Sequence, residues 1–362
     1  MLFGGCSVEH EISLISARSI IKNIDNGIYN ILPVFISKSG KWLKINLEKF
    51  IEDQLEYSVD HCYMPSLGFD ERPKLYELEN GRLAGSVEVD IAFPVLHGTY
   101  GEDGTIQGLF ELMGLPYVGA SVLGSAIGMD KIAMKSVLIK SGLPVTDFIG
   151  FTAAEWENDS HNIQKKIEQD IGFDCFVKAA DLGSSIGISK VKKAENISEA
   201  VSDSLKYSKR VLVEKAVNNC REVEVSVLGN EDPIASLPGE VMPEREFYDY
   251  VAKYDDDSTS LEMPANLPNE VVEKLQELAV ETFKALDCSG LGRVDFLIDD
   301  ISGDIYISEI NTIPGFTSIS MYPKLWEITG ISYDELIKRL LELAEQRFKD
   351  RKLLETDYKE SI

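Results

Sequence analysis

Residues 292–323, GRVDFLIDDISGDIYISEINTIPGFTSISMYP, constrain this chain more than any other stretch. Two apolar runs flank an acidic turn (Asp299, Asp300, Gly303, Asp304), which predicts a β-hairpin with a longer loop. Side chains two apart on a strand share a face. Arg293 therefore joins Asp295 on one strand, and Glu309 joins Asn311 on its partner. Two carboxylates and an amide oxygen converge beside a guanidinium. An oxygen-only set with positions left for water and phosphate suits Mg²⁺. A plain hairpin with a charged solvent face could carry the same residues. The NTIPGF run weighs against it, because Pro314 and Gly315 turn the chain so that backbone amides meet the charges.

A chain of 362 residues predicts two or three units, and 44% apolar content supplies their cores. Lys and Arg number 36 against 61 Asp and Glu, a net charge of −25 that argues against nucleic acid or an anionic membrane as partner. A nucleotide-binding site here must concentrate its few cations locally. Cys6, Cys62, Cys175, Cys220 and Cys288 show no CxxC spacing, which fits a reducing compartment better than a disulfide frame or zinc site. No run of 18 apolar residues occurs and the MLFGG start lacks a basic or apolar leader, so the expectation is a soluble, cytoplasmic protein.

Met1–Phe3 reads as a strand running into Gly4-Gly5-Cys6-Ser7 and then a helix through Ile12, Ile15, Ser19 and Ile20. Strand, glycine turn and helix together offer amides to an anionic or polar ligand. Glu9 and Glu11 lie in the first turn, where acids also favour the helix dipole. The strand is short at its front, as if residues precede it. Strands are expected over 30–36 and 91–96. The second ends at His97-Gly98 and the TYGEDG loop, at the end of a strand where open α/β sheets bind ligands. A lone histidine there serves structure as readily as function. A helix carrying Ile106, Leu109, Phe110 and Met113 follows, closed by Gly114 and Pro116. These elements make an α/β domain over 1–122, within which 45–90 has no readable pattern.

From residue 127, GMDKIAMKSVLIKSGLP predicts a capped helix, followed by a strand ending at Lys178. The Gly183–Gly187 turn offers amides and hydroxyls to phosphate, although it is not a Walker A loop. Lys131 and Lys178 are the nearby cations. VLVEK (211–215) and EVEVSVLG (222–229) read as buried strands. Residues 240–262 carry Tyr248, Tyr250 and Tyr254 without a period, as expected of a lid. Helices over 269–286 and 332–348 are amphipathic core elements. The expected units are 123–210, with the phosphate loop, 211–350, with the lid, and a tail at 351–362.

Taken together, GGCSVEHEISL, HGTYGEDGTIQG, MDK, VKAADLGSSIG, FYDYVAKY, GRVDF and EINTIPGFTSISMYP resemble the D-alanine–D-alanine ligases of the ATP-grasp superfamily, over nearly the whole chain. The resemblance implies an α/β, three-domain fold: an N-terminal parallel-sheet domain and two domains whose antiparallel sheets grip ATP. It implies that Lys131 and Lys178 hold phosphates, that Ser185 contacts them, that Glu214, Lys215, Ala216 and Val217 form the adenine hinge, and that Glu222 takes the ribose. Asp295, Glu309 and Asn311 would coordinate two Mg²⁺, with Mn²⁺ as an alternative. Glu9 would receive the first D-alanine's ammonium beside His97, and Ser184 and Tyr254 would link it to the lid. Lys253, Ser320, Met321 and the Gly315 amide would bind the second D-alanine and phosphate oxygens. Arg293 and Gly315 would stabilise a tetrahedral oxyanion.

The implied activity is ATP-dependent ligation of two D-alanines through D-alanyl phosphate, for peptidoglycan precursors, in a cytoplasmic homodimer. Rival readings are a ligase joining D-alanine to D-serine or, against the Lys253-Tyr254 pair, D-lactate; another carboxylate–amine ligase of the superfamily; and an inactive nucleotide-binding regulator. Three departures from the family pattern stand out: Ala179 in place of a proline, the short first strand, and Val251 where an acidic residue is common.

Overall fold

A computed structural model describes the chain except for residues 69–71, 184–186, 218, 243–259 and 356–362. Three sheets organise the described residues. In the first, Leu2–Gly4 lies parallel to Val34–Ile36 on one side and to Pro94–Val95 on the other. Four further strands, Trp42–Ile45, Tyr57–Pro65, Lys74–Glu79 and Arg82–Glu88, extend that sheet as an antiparallel meander. The parallel part matches the expected α/β character, and the meander accounts for the stretch that could not be read. Most of Tyr57–Pro65 is solvent-exposed, so no apolar alternation marked it as a strand.

The turn from Leu2–Gly4 into the helix His10–Asn23 requires glycine. Gly4 and Gly5 have φ of +94° and +96°, and a Cβ on Gly4 would lie 2.2 Å from the Ile36 carbonyl oxygen. Ser13, one turn into the helix, accepts from the Gly4 amide at 2.7 Å and donates to the Val95 carbonyl. The helix start is thereby pinned to the ends of two strands.

The second sheet is antiparallel, in the order Ile188–Val191, Cys175–Ala179, Arg210–Lys215, Phe148–Thr152. The third is also antiparallel, in the order Ser260–Glu262, Gly239–Met242, Cys220–Gly229, Gly290–Asp299, Ile305–Asn311, with the short Ile234–Ala235 paired to Cys220–Gly229. Strand alternation gives the third sheet two different faces. Val223, Val225 and Val227 pack under the helix Asn269–Ala285 with Leu275, Leu278 and Phe283. Glu222, Glu224 and Ser226 take the other face.

The expected lid differs at its ends. Val241 pairs with Leu261 and Met242 with Ser260, so the segment leaves and re-enters as an antiparallel pair; its three tyrosines and Val251 lie outside the described residues. The helix Val122–Met129 was not anticipated. The helix Lys131–Lys140 was, and Asp130 caps it by accepting from the Ala133 amide at 2.8 Å.

The last helices, Met321–Thr329 and Tyr333–Lys352, return to the first sheet. Trp326, Leu336 and Leu340 share one core with Phe3, Leu14 and Ile20, so the two ends of the chain are folded against each other. Trp326 is fully buried there. Trp326→Ala is expected to cost about 3–5 kcal/mol, the range for truncating a buried aromatic, read as a lowered urea midpoint.

Candidate active site

The expected hairpin forms. Arg293 pairs with Asn311 and Asp295 with Glu309, and a bulge passes over Ser308 just beyond them. On the other side, Glu224 pairs with Asp295 and Ser226 with Arg293. Directly opposed residues of antiparallel strands share a face, so Glu224, Asp295 and Glu309 stand abreast across three strands. Arg293 offsets part of the row's charge. Its Nε and Nη2 each donate to an Asp295 oxygen at 2.7 Å, and its Nε lies 2.9 Å from Glu224 Oε2. Burial opposes the charge, but the two carboxylates outweigh it and hold the guanidinium well above its ordinary range. Asn311 Nδ2 donates to Asp295 Oδ2 at 3.0 Å. Two carboxylates and an amide oxygen on paired strands form a hard-oxygen donor set of the kind Mg²⁺ takes.

Two lysines reach this row from the other side. Lys131, at the start of its capped helix, donates to the Leu182 carbonyl at 2.7 Å and lies 3.1 Å from Glu309 Oε2. Lys178 extends from the second sheet. Burial works against its ammonium, but Glu214, with Glu309 and Glu222, raises its pKa above the ordinary value. The second and third sheets thus bring cations and carboxylates to the same place.

The Glu214 side chain is taken up inside the protein. It is 3% exposed and paired with both Lys178 and Lys135. A nucleotide could meet only the main chain of Glu214. Further along this segment, the Lys215 and Ala216 amides already donate to the Asp147 and Asp174 carbonyls, at 2.9 and 3.1 Å. Adenine would need the carbonyls of this segment or the Val217 amide. Glu222 lies two residues before Glu224, on the face turned to Lys178.

The first sheet contributes the third wall. Glu9 precedes the first helix without capping it, and its buried carboxylate lies against Gly98, where a Cβ would stand 2.8 Å from Oε2, with Gly183 also nearby. His97 belongs to a positioning frame. Its Nδ1 donates to the Ile313 carbonyl at 2.9 Å, which leaves Nε2 an acceptor facing Ser16 Oγ at 3.4 Å. Ser16 also accepts from the Phe316 amide at 3.2 Å. Burial lowers the His97 pKa against the pull of Glu9, in keeping with a neutral ring. Glu102 completes the frame, accepting from the Gly98 amide at 2.7 Å and the Ile313 amide at 3.0 Å. Ile313 is therefore held at both its amide and its carbonyl, two residues from Gly315.

Ser320 lies beside Gly315 and accepts from the Thr317 amide at 3.0 Å. The Met321 side chain is buried with Val241 and Leu325, so only its main chain could face a substrate. Ser184, Ser185, Lys253 and Tyr254 lie outside the described residues. Sequence reading missed Ser16, Glu102, Glu224 and Lys135. Glu102 stood in the GEDG motif, and Glu224 in a strand whose alternation with Val223 and Val225 already assigned it to the polar face.

Two antiparallel sheets closing on Lys131, Lys178 and an acidic row define an ATP-grasp enzyme. The family models described as D-ala D-ala ligase N-terminus and C-terminus match residues 1–120 and 137–342. The chain belongs to the D-alanine–D-alanine ligase family, and is an ATP-dependent ligase. It is 46% identical to a D-alanine–D-alanine ligase of Acetivibrio thermocellus, over 97% of this chain and 96% of the relative. The Natranaerobius thermophilus enzyme of that name is 43% identical over 100% and 98%. Among solved structures, the D-alanine–D-alanine ligase of Coxiella burnetii superposes with a TM-score of 0.83 at 35% identity, covering 97% of this chain and 94% of that one. A D-Ala:D-Ser ligase of Enterococcus faecalis gives 0.82 at 34%, covering 95% and 98%.

Burial, reinforced by Glu9, pushes the Glu102 carboxyl up to about 8. The folded chain then keeps a proton that the unfolded chain releases near its ordinary value, so this group's contribution to stability falls as pH rises toward 8. Glu102→Gln removes that dependence. The melting temperature of the ligand-free wild type, measured against Glu102→Gln, should decline steadily between about pH 5 and 8. Parallel pH profiles would contradict it.

Proposed function

We propose that the protein joins two D-alanines into D-alanyl-D-alanine, with ATP cleaved to ADP and phosphate. The observation that carries this reading is the Arg293–Asp295–Glu309–Asn311 cluster, met by Lys131 and Lys178 and tied through Ile313 to the loop beside Glu9. Mg²⁺ fits the oxygens of Asp295, Glu309 and Asn311, and when bound would neutralise phosphate charge.

In this reading the Glu9 carboxylate takes the first D-alanine's ammonium, and Gly98 leaves the space for it. The first D-alanine's own carboxylate is a poor electrophile, so its oxygen first attacks the γ-phosphorus of ATP, giving D-alanyl phosphate and ADP. Lys131 and Lys178 balance charge on the phosphates. The neutral amine of a second D-alanine then attacks the acyl carbon. Arg293 and the Gly315 amide face the oxyanion that forms. Its collapse, with loss of one proton from the attacking nitrogen, expels phosphate, which departs as hydrogen phosphate with that proton, and leaves the dipeptide. Gly315 can serve only if its peptide is fixed, which is the task assigned to the Ser16–His97–Glu102 frame. The same reading takes the units as 1–122, 123–210 and 211–350, and the chain as a cytoplasmic homodimer.

Phosphate release with ATP, Mg²⁺ and D-alanine, products identified by mass, tests the reading. D-alanyl-D-alanine is the expected main product, and D-alanyl-D-serine from a mixture of D-alanine and D-serine would overturn the choice of second substrate. Arg293→Ala should lower kcat by on the order of 10²–10³, the cost of losing an oxyanion donor. Ser16→Ala should lower kcat by about 10–100-fold through misplacement of the loop, with KM for ATP unchanged; an equal rise in that KM would contradict the assigned role.

A further inference from the structure

Lys135 is a lysine with no route to a substrate. It sits one turn beyond Lys131, 1% exposed, with its Nζ 2.9 Å from Thr146 Oγ1 and 2.9 Å from Glu214 Oε2. Thr146 in turn donates to the same Glu214 oxygen at 3.0 Å. The other Glu214 oxygen holds Lys178. One buried carboxylate is thus shared by two ammoniums, an arrangement with a surplus of positive charge. Burial lowers the Lys135 pKa, and Glu214 is the main group raising it again. The Phe148 ring faces the ammonium from a further side, and Lys178 and Glu309 are the other charges acting on it.

We propose that Lys135 is a positioning residue that keeps Glu214 neutralised so that Lys178 can leave it for the nucleotide phosphates. The inference rests on the ATP-binding reading of Lys178. A buried carboxylate that loses its only cation is strongly disfavoured. Were Lys178 the sole partner of Glu214, moving its ammonium to a phosphate would leave that carboxylate uncompensated. Lys135 and the Thr146 hydroxyl remain on Glu214 whichever way Lys178 points, so the exchange is no longer opposed. Lys178 is 14% exposed, enough for its ammonium to turn outward while Lys135 stays enclosed.

Three variants of the full chain test this by calorimetric titration with ADP. Lys135→Met should weaken ADP binding by about tenfold, within the range for residues sharing one charged network. Adding Glu214→Gln to Lys135→Met removes the trap and should restore affinity to within about twofold of the wild type. Thr146→Val changes no charge and withdraws the hydroxyl that accepts from Lys135 and donates to Glu214. It should weaken ADP binding in the same direction, which a simple change in local field would not do. Because Thr146→Val keeps the volume, it also serves if Lys135→Met does not fold. Wild-type affinity in Thr146→Val, or a double variant no tighter than Lys135→Met, overturns the proposal. A wild type that binds ADP but makes no dipeptide would defeat the ligase reading and leave this one standing.

Discussion

A guanidinium buried between two carboxylates is stable only while both stay in place, and Arg293 is held in this way by Asp295 and Glu224. The three residues come from two paired strands, and Glu309 and Asn311 from a third. Register therefore determines the charge distribution, since slipping any one of these strands by a residue would turn its own groups toward the opposite face. The valines of Cys220–Gly229 under the helix Asn269–Ala285 fix that register. Hydrophobic packing on one side of the sheet thus specifies the chemistry on the other.

The same logic of shared partners recurs twice. Glu214 is divided between Lys135 and Lys178, and Ile313 is tied by His97 through its carbonyl and by Glu102 through its amide. In each case a group needed in one position is held by contacts from more than one element. Glu102 and His97 lie on the first sheet's loop and Ile313 just beyond the third sheet, so the frame joins the site for the first substrate to the loop that carries Gly315. In the proposed function, the loop beside Glu9 and the loop that carries Gly315 are then held together through Ile313.

Much of this was legible in the sequence where periodicity and spacing coincide. The hairpin, its acidic turn and the shared faces of Arg293 with Asp295 and Glu309 with Asn311 follow from a two-residue period alone. The role of the Glu214 side chain was not legible. Its neighbours in sequence read as a buried strand and the resemblance implies a hinge, whereas its partners Lys135 and Thr146 come from a helix and a loop about 70 residues earlier. Ser16 and Lys135 looked like ordinary helix residues because only tertiary contacts distinguish them. The meander over 42–88 escaped notice because Tyr57–Pro65 and Arg82–Glu88 are largely exposed and leave little apolar alternation to read.

The central claim is that these three walls activate a carboxylate as an acyl phosphate. D-alanine labelled with ¹⁸O in its carboxylate, incubated with ATP and Mg²⁺, tests it directly through the mass of the phosphate released. One labelled oxygen in each phosphate is the result expected, because the carboxylate oxygen that attacks the γ-phosphorus leaves with it. Unlabelled phosphate accompanying dipeptide would contradict the account.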